Sequence, residues 1–440
     1  MKTNKRIWAL LLLAALLLAG CSMRTAEQLY TPPKRSADYD DLQSAIDKAM
    51  EDLAYCAPLT GENQQPVQMA DLDGDGEQEY LLFAKGTQER PLHILVFCKT
   101  ENGYVHTDTV QSNGTSFDLV ECVNMDDKPG VEIVVGRQVS DQVPRSVSVY
   151  QMSDNNLEQV LSANYSKLLM VDLDNNGISK LMVMRPGETD TDNGIVELYT
   201  LVDGALQRSN EVSMSRPADK IKRIITGKLY GGGLAVYLAS TVDDTALITD
   251  VYTLRDGMLT NVTFSNESGT SIQTMRNFYV YADDIDNDGV VELPSLLTMK
   301  PVEGTTDGER YHMIRWYAMT PDGVEVDKLH TFHNFEGGWY MHLSGELTSR
   351  MSVLRTGNEF EFYLWDEAYK TNEKMMTVYT FTAQNREEQA TADGRFVLLR
   401  TESTVYAASM TEAATALGIT RDNVIYSFRM IQQDWKTGET

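Results

Sequence analysis

A short acidic motif recurs along the chain at nearly constant spacing, and this repetition constrains the fold more than any other feature. It reads MADLDGDGEQEYLLF from Met69, VDLDNNGISKLMVM from Val171, ADDIDNDGVVELPSLL from Ala282 and, with fewer acids, CVNMDDKPGVEIVV from Cys122. The first ligand-like positions of these copies are Asp71, Asn124, Asp172 and Asp284, which lie 53, 48 and 112 residues apart. The last gap holds a unit without acids, RIITGKLYGGGLAVYLAS from Arg223. The sequence therefore contains five units, and a repeat of this length is typical of solenoids and propellers.

A second marker follows each acidic motif at the same phase. Every unit has a further apolar segment that ends in a pair of turn-forming residues. The pairs are Asn102-Gly103, Asn155-Asn156, Asp203-Gly204, Asp256-Gly257 and Asp322-Gly323. Asn-Gly and Asp-Gly between alternating segments predict β-hairpins, because both turn residues need a positive φ.

Each unit then contains four strands, and four-stranded units in series are the signature of a β-propeller. The sequence predicts an all-β protein with a five-bladed β-propeller over residues 58–333; an open β-solenoid and a seven-bladed propeller that absorbs the C-terminal region are the alternatives. Residues 39–57 are expected to form a packing helix, with Leu42, Ile46, Met50 and Leu53 on one face. The pattern changes after residue 333, and residues 334–440 are predicted to be a small α+β C-terminal domain.

The acidic motif has the chemistry of a calcium loop. Counted from Asp71, carboxylates stand at positions 1, 3, 5 and 9, with glycine at position 6. Ca²⁺ takes six to eight oxygen ligands, and without a cation these carboxylates would repel one another. An EF-hand also needs a glutamate at position 12 and flanking helices, but position 12 is Leu82 in the first unit and Ser295 in the fifth, and the flanks are strands.

The loop, with an acid at position 9 and an apolar strand directly after it, resembles the FG-GAP/VCBS repeat of integrin-type β-propellers. The resemblance covers the five units and implies one or two Ca²⁺ sites. The ligands that it implies are Asp71, Asp73, Asp75 and Glu79 with the carbonyl of Glu77, and Asp284, Asp286, Asp288 and Glu292 with the carbonyl of Val290.

Two further loops match the family pattern less well, and weak or lost metal binding is expected there. The third unit keeps Asp172, Asp174 and Asn176 but has Lys180 at position 9. The second unit keeps Asn124, Asp126 and Glu132, and Lys128 stands at position 5, where its ammonium could replace the ion. Because the loop is duplicated and degraded from unit to unit, it is expected to serve architecture and not catalysis.

The N-terminus predicts a secreted, lipid-anchored protein. Basic residues precede an apolar run from Ile7 to Leu18, which is too short to span a bilayer and typical of a signal peptide over residues 1–20. The segment Leu18 to Cys21 resembles the lipobox of bacterial lipoproteins, which implies that Cys21 is acylated and attaches the protein to the extracytoplasmic face of the bacterial cell membrane. Residues 21–38 are the expected tether.

Composition narrows the partners. The net charge of −26 argues against nucleic acid, which requires basic surfaces. Cys56, Cys98 and Cys122 remain once Cys21 is lipidated, and this odd number prevents complete internal pairing; free thiols are expected, with a Cys98–Cys122 disulfide as the alternative.

The predicted function is non-catalytic binding or scaffolding at the cell envelope, with an unidentified protein or polysaccharide as ligand. One alternative is a carbohydrate-active hydrolase or lyase, for which Glu197 and Asp250 are the candidate carboxylates. A factor for protein assembly in the envelope is the other. His330 and His333 lie three apart in a strand and should face opposite ways, which disfavours a zinc pair.

Overall fold

The computed structural model of the protein describes residues 37–101, 103–140, 145–189, 192–302, 311–343, 345–366, 368 and 371–431. The predicted signal peptide, Cys21 and nearly all of the predicted tether lie outside these residues. The predicted all-β class is confirmed, because the described ranges fold mainly into six antiparallel sheets, here called sheets I to VI in chain order. Within those ranges, no helix has the length and apolar character needed to cross a bilayer.

The first three sheets lie in the N-terminal half. Sheet I contains β1 (Ala54–Tyr55), β2 (Val67–Ala70), β3 (Glu79–Lys85), β4 (Leu92–Thr100) and β5 (Gly103–Ser112). Sheet II contains β6 (Ser116–Val123), β7 (Glu132–Gln138), β8 (Arg145–Ser153) and β9 (Asn156–Tyr165). Sheet III contains β10 (Lys167–Val171), β11 (Lys180–Arg185), β12 (Ile195–Val202) and β13 (Ala205–Ser213).

The other three sheets follow. Sheet IV contains β14 (Ile221–Lys228), β15 (Leu234–Thr241), β16 (Leu247–Arg255) and β17 (Met258–Asn261). Sheet V contains β18 (Glu292–Thr298), β19 (His312–Met319), β20 (Glu325–Asn334) and β21 (Trp339–Leu343), with β27 (Phe428–Met430) at its edge. Sheet VI contains β22 (Met351–Thr356), β23 (Glu359–Asp366), β24 (Thr371–Phe381), β25 (Phe396–Arg400) and β26 (Val405–Met410), in the order β22-β23-β24-β26-β25.

In the part of the chain that the structure describes, five short α-helices accompany the sheets: α1 (Ala37–Ala49), α2 (Gly345–Thr348), α3 (Arg386–Thr391), α4 (Glu412–Ala416) and α5 (Arg421–Ser427). Short 3₁₀ turns stand at Ala218–Lys220 and Ile272–Thr274.

Hairpins join the strands near the predicted positions, but not every turn has the predicted geometry. Of the Asp322-Gly323 pair only Gly323 has a positive φ, and Asn102 of the first pair lies outside the described residues. Asp203-Gly204 and Asp256-Gly257 have positive φ at both residues, as this turn type requires. In sheet II the positive φ values fall on Asp154 and Asn155, so the predicted Asn155-Asn156 turn is wrong by one residue. Three Asx residues in a row at 154–156 leave the local sequence without a preference for either position.

Consecutive sheets pack face to face through shared apolar clusters. Because side chains alternate along a strand, one face of each inner sheet packs on the preceding sheet and the other face on the next. In β11, Leu181 and Val183 join a cluster with sheet II, whereas Met182 and Met184 join one with sheet IV. Further clusters connect sheets I and II, IV and V, and V and VI.

Helices cover the outer faces at both ends of this series. Leu42 and Ile46 of α1 pack on the face of sheet I that points away from sheet II. Ala390 of α3 packs with Val405 and Ala407 on the face of sheet VI that points away from sheet V. A helix therefore packs on the outer face of each end sheet.

The predicted boundary after residue 333 falls inside β20. The next strand, β21, continues sheet V, and β27 adds to the same sheet from near the C-terminus. Sheet VI, which is made entirely of residues after the boundary, shares one core with sheet V around Phe332, Trp339 and Phe362. The predicted division at residue 333 therefore falls within a continuous sheet and core.

A polar pair between two adjacent strands recurs in sheets III to VI. It joins the third and fourth strands of sheets III and IV, and the second and third strands of sheets V and VI. Its first member stands two residues before a tyrosine, and its second lies opposite that tyrosine on the next strand. The pairs are Glu197–Arg208, Asp250–Asn261, Arg315–Asp327 and Glu361–Lys374, next to Tyr199, Tyr252, Tyr317 and Tyr363. Sheet VI thus repeats a detail of sheets III to V although it has no acidic loop.

Candidate metal centre

The first acidic loop, between β2 and β3, brings three carboxylates together. Oxygens of Asp71, Asp73 and Glu79 all lie within 4.8 Å of one another. Asp71 accepts hydrogen bonds from the backbone N–H groups of Gly74 at 2.8 Å and Gly76 at 3.1 Å. Both glycines have positive φ, which allows the chain to wrap around this carboxylate. This arrangement offers oxygen ligands of the kind that hard divalent cations require.

Glu79 anchors the loop to the sheet. It is the first residue of β3, is 3% exposed, and its Oε2 accepts the backbone N–H of Leu72 at 2.8 Å. Burial raises the pKa of Glu79, and repulsion from the neighbouring aspartates of the loop adds to the rise. A bound cation would offset that repulsion.

Two other residues of the predicted ligand set lie at the rim. Asp75 is outside the cluster of three carboxylates, and its Oδ1 accepts the N–H of Glu77 at 2.7 Å. The side chain of Glu77 pairs with Lys99 at 2.9 Å. The carboxylates that the structure brings together in this loop are therefore those at positions 1, 3 and 9.

The fifth loop, before β18, repeats this geometry. Oxygens of Asp284, Asp286 and Glu292 lie within 4.8 Å of one another. Asp284 accepts the N–H groups of Asp288 at 2.9 Å and Gly289 at 2.8 Å. Glu292 accepts the N–H of Ile285 at 3.1 Å, as Glu79 does for Leu72.

A lysine that sequence reasoning missed reaches into the fifth loop. The ammonium of Lys328, on β20, contacts Asp288 and lies 3.5 Å from Asp286 and 3.7 Å from Glu292 Oε1. Its hydrogen bond lowers the pKa of Asp288. Burial, with repulsion from Asp286 as the next cause, raises the pKa of Glu292 to about 8. Asp288, predicted as a calcium ligand, is therefore paired with an ammonium.

The two loops expected to bind weakly also contain side-chain donors. In the third loop, Lys180 Nζ lies 2.6 Å from Asp174 Oδ1, while Asp172 accepts the N–H groups of Asn176 and Gly177. In the second loop, Lys128 Nζ lies 3.0 Å from Asp126, and Glu132 accepts a hydrogen bond from Gln151 and the N–H of Met125. Asn124 accepts the N–H of Asp126. Over the residues that the structure describes, the groups of three or more potential metal ligands are those of the first and fifth loops.

Loops of neighbouring sheets touch one another. A Cβ added at Gly74 would lie 2.3 Å from Cβ of Pro129 in the second loop. The N–H of Ser179 in the third loop donates to the carbonyl of Asn124 at 2.8 Å. The first three loops therefore form a continuous row along one edge of the stacked sheets.

The two candidate catalytic carboxylates are bound to other parts of the protein. Asp250 is fully buried and accepts hydrogen bonds from Ser215 Oγ at 2.5 Å, Ser271 Oγ at 2.6 Å and Asn261 Nδ2 at 2.8 Å. Burial raises the pKa of Asp250. These bonds connect sheet III, sheet IV and the turn after it, which gives Asp250 a structural role.

Both carboxylate oxygens of Glu197 are also bound by neighbouring side chains. Its Oε1 lies 2.9 Å from Arg185 and 2.8 Å from Arg208, and its Oε2 accepts the hydroxyl of Tyr199 at 3.0 Å. Its pKa is lowered because these three hydrogen bonds outweigh burial, which raises it. A carboxylate held by two arginines is a poor proton donor or nucleophile.

The histidine and cysteine predictions agree with the structure. His330 lies opposite Arg315 in the register of β19 and β20. His333 is buried on the other face of β20 and stacks on Tyr340 with 5.0 Å between ring centres, so the two histidines face opposite ways as predicted. The cysteines within the described residues, Cys56, Cys98 and Cys122, are free thiols.

No protein-family model matches the sequence, and no curated protein does. Solved structures align over much of the chain at low similarity. The rhamnogalacturonan lyase YesW is 11% identical with a TM-score of 0.28, covering 84% of this chain and 79% of that one. A rhamnogalacturonan lyase of Bacillus licheniformis is 12% identical with a TM-score of 0.29, covering 85% and 77%. A 6-phosphogluconolactonase-like protein of Bacteroides uniformis is 11% identical with a TM-score of 0.30, covering 73% and 94%. Similarity at this level establishes neither a shared architecture nor a shared activity.

Proposed function

We propose that this protein is a lipid-anchored binding or scaffolding module of the bacterial envelope, stabilised by Ca²⁺ in its first acidic loop. The observation that carries the calcium proposal is the convergence of Asp71, Asp73 and Glu79 within 4.8 Å. Backbone N–H groups already hold Asp71 and Glu79 in place, so little ordering is needed when an ion binds. The ligands are all oxygens, which favours Ca²⁺ over softer metals.

A scaffolding role is favoured over the hydrolase or lyase alternative. The carboxylates that would have served catalysis, Glu197 and Asp250, are saturated by structural hydrogen bonds. Both positions belong to the polar pair that recurs from sheet to sheet, which is expected of architecture. The ligand in this proposal is a protein or a polysaccharide, in line with the acidity of the chain.

We further propose that the sheets are six blade-like units in place of the five predicted ones. The recurring polar pair supports the inclusion of sheet VI, and the shared core with sheet V supports its place next to it. The helices on the outer faces of sheets I and VI favour an open arc over a closed ring.

Thermal unfolding of the full chain with and without Ca²⁺ tests the metal proposal. A ligand selective for the folded state adds about 2.7 kcal/mol at 100 times its Kd, so millimolar Ca²⁺ should raise the Tm by several degrees. Asp71→Ala should remove most of the rise. Asp172→Ala is the matched control, because Asp172 accepts equivalent backbone bonds in a loop without a metal cluster. An equal Tm with and without Ca²⁺ in the wild type would refute the proposal.

The anchoring proposal has its own test. Cys21→Ala should prevent acylation and move the protein from the membrane fraction to the soluble extracytoplasmic fraction. Incorporation of labelled palmitate distinguishes a lipid anchor from peripheral attachment, and retention of the label by Cys21→Ala would contradict the assignment of Cys21.

A further inference from the structure

Lys328 occupies an unusual position on β20. Trp316 pairs with Leu329 and Tyr317 with Asp327, so Lys328 is the extra residue of a β-bulge. A bulge leaves one residue outside the regular ladder and re-aims its side chain. Here the side chain is 12% exposed, and its ammonium lies among the carboxylates of the fifth loop.

The ammonium neutralises the loop incompletely. Glu292 is 0% exposed, and its Oε2 accepts the N–H of Ile285. Its Oε1 is buried without a hydrogen-bond partner, and the ammonium of Lys328 lies 3.7 Å away, beyond hydrogen-bond distance. The same ammonium lies 3.5 Å from Asp286, and one carboxylate oxygen of Glu292 lies within 4.8 Å of oxygens of Asp284 and Asp286. The loop thus retains an unused ligand for an ion that lysine only partly replaces.

The first loop has no lysine at the position equivalent to Lys328. In sheet I the bulge residue is Thr107, because Val96 pairs with Asp108 and Phe97 with His106. The hydroxyl of Thr107 lies 3.3 Å from the thiol of Cys98, so no ammonium reaches the first loop from this strand. One residue at a shared structural position therefore separates two loops with otherwise matching carboxylates.

We propose that Lys328 is a tethered counter-ion that competes with Ca²⁺ for the fifth loop, so that this loop binds the ion only when the lysine side chain is displaced. The inference rests on the proposed function, since it takes the acidic loop geometry as competent for Ca²⁺. It assigns the two loops different affinities, with the first loop filled at lower calcium concentrations than the fifth. The fifth loop is then a latent second site.

Calcium titration by isothermal calorimetry on the full chain tests this assignment. In an Asp71→Ala background, which removes the first site, Lys328→Thr introduces the residue type found in sheet I. This double variant should bind one Ca²⁺ at least about tenfold more tightly than Asp71→Ala alone, because a unit charge is removed from the loop. Lys328→Met, which keeps the aliphatic stem, serves if the threonine variant does not fold.

The control is Lys374→Met. Lys374, on β24, pairs with Glu361 of β23 and lies away from the acidic loops, so this variant removes a lysine without changing a loop. It should leave calcium binding as in Asp71→Ala. Equal affinities in Asp71→Ala and in the folded Lys328 double variant would overturn the proposal. That result differs from failure of the proposed calcium site in the first loop. In that case the wild type and Asp71→Ala would bind Ca²⁺ equally.

Discussion

Glu79 Oε2 accepts the backbone N–H of Leu72 at 2.8 Å, and this bond closes the first loop across seven residues. Glu132 and Glu292 make the same bond in the second and fifth loops, whereas position 9 of the third loop is Lys180. The bond is present both in a loop with a metal cluster and in one without, so closing the loop and binding the ion are separable roles of one side chain.

Substitutions at Glu79 should separate these roles. Glu79→Gln keeps an oxygen acceptor for Leu72 and should leave stability without calcium nearly unchanged while it removes most of the calcium-induced gain. Glu79→Ala leaves a buried N–H unpaired and should cost about 1–3 kcal/mol even without calcium. Urea unfolding with and without Ca²⁺ measures both effects. Glu132→Gln is the control, and a loss of calcium response in that variant would contradict the assignment of the site.

The contact between the first two loops should make Gly74 much less replaceable than Gly76. Both have positive φ, so alanine is strained at either position by about 1 kcal/mol. At Gly74 a Cβ would also lie 2.3 Å from Pro129, whereas at Gly76 nothing lies within 4 Å. Gly74→Ala should therefore lower the free energy of unfolding clearly more than Gly76→Ala. Equal losses would show that the loops do not touch in solution.

A lysine in the bulge of sheet I should reproduce the state of the fifth loop. Thr107→Lys is expected to place an ammonium among Asp71, Asp73 and Glu79 and to lower the calcium affinity of the first loop at least about tenfold, by competition between like charges. Thr107→Met, which adds a stem of similar bulk without charge, is the control. Similar affinities for the two variants would mean that bulk, and not charge, controls access.

Asp250 should matter for stability. Removing it leaves buried donors of Ser215, Ser271 and Asn261 without their acceptor, and Asp250→Ala should cost at least about 3 kcal/mol. Asp243→Ala, at an exposed turn before the same strand, should have a much smaller effect. A stable, soluble Asp250→Ala variant would reopen the catalytic interpretation.

The burial of His333 should make the folded protein less stable in mild acid. Burial lowers the pKa of His333 from 6.5 to about 3 in the folded protein, so the folded state holds the ring neutral while the unfolded chain takes up a proton below 6.5. The free energy of unfolding is therefore unaffected by this group above pH 6.5. It declines as the pH falls from 6.5 towards 3, by about 2 kcal/mol between pH 7.5 and pH 5. Urea unfolding of wild type and His333→Phe at both pH values measures the difference. Parallel losses in the two proteins would contradict it.

The local part of the candidate site could be predicted from sequence, and the distant part could not. Asp71, Asp73 and Glu79 lie within one loop, so their spacing alone indicates that they converge. Lys328 comes from another strand and reaches the fifth loop only because of a β-bulge. The local sequence pattern of β20 does not predict this bulge. Asp75 and Asp288 carry the right residue type, yet one caps a backbone N–H and the other pairs with lysine.

The same distinction holds for the fold. Antiparallel strands joined by hairpins follow from local signals, and the structure confirms them, with four strands in sheets II, III and IV and five in sheets I, V and VI. Sheet VI has no acidic loop, so a search for that motif passes over it. Its polar pair, Glu361 with Lys374, stands at the spacing already present at Glu197 and Arg208. Such a pair is visible only when the register of two strands is known.

The helices at the two ends of the sheet series bear on how such a chain can evolve. A closed ring has a fixed number of places, and a duplicated unit must force every neighbour to change its angle. The open arc that we propose, with α1 and α3 at its ends, has no such restriction, since a new sheet inserted between two others finds a partner for each of its faces. Gene duplication could therefore lengthen such an arc one sheet at a time, with the same two helices retained on its outer faces.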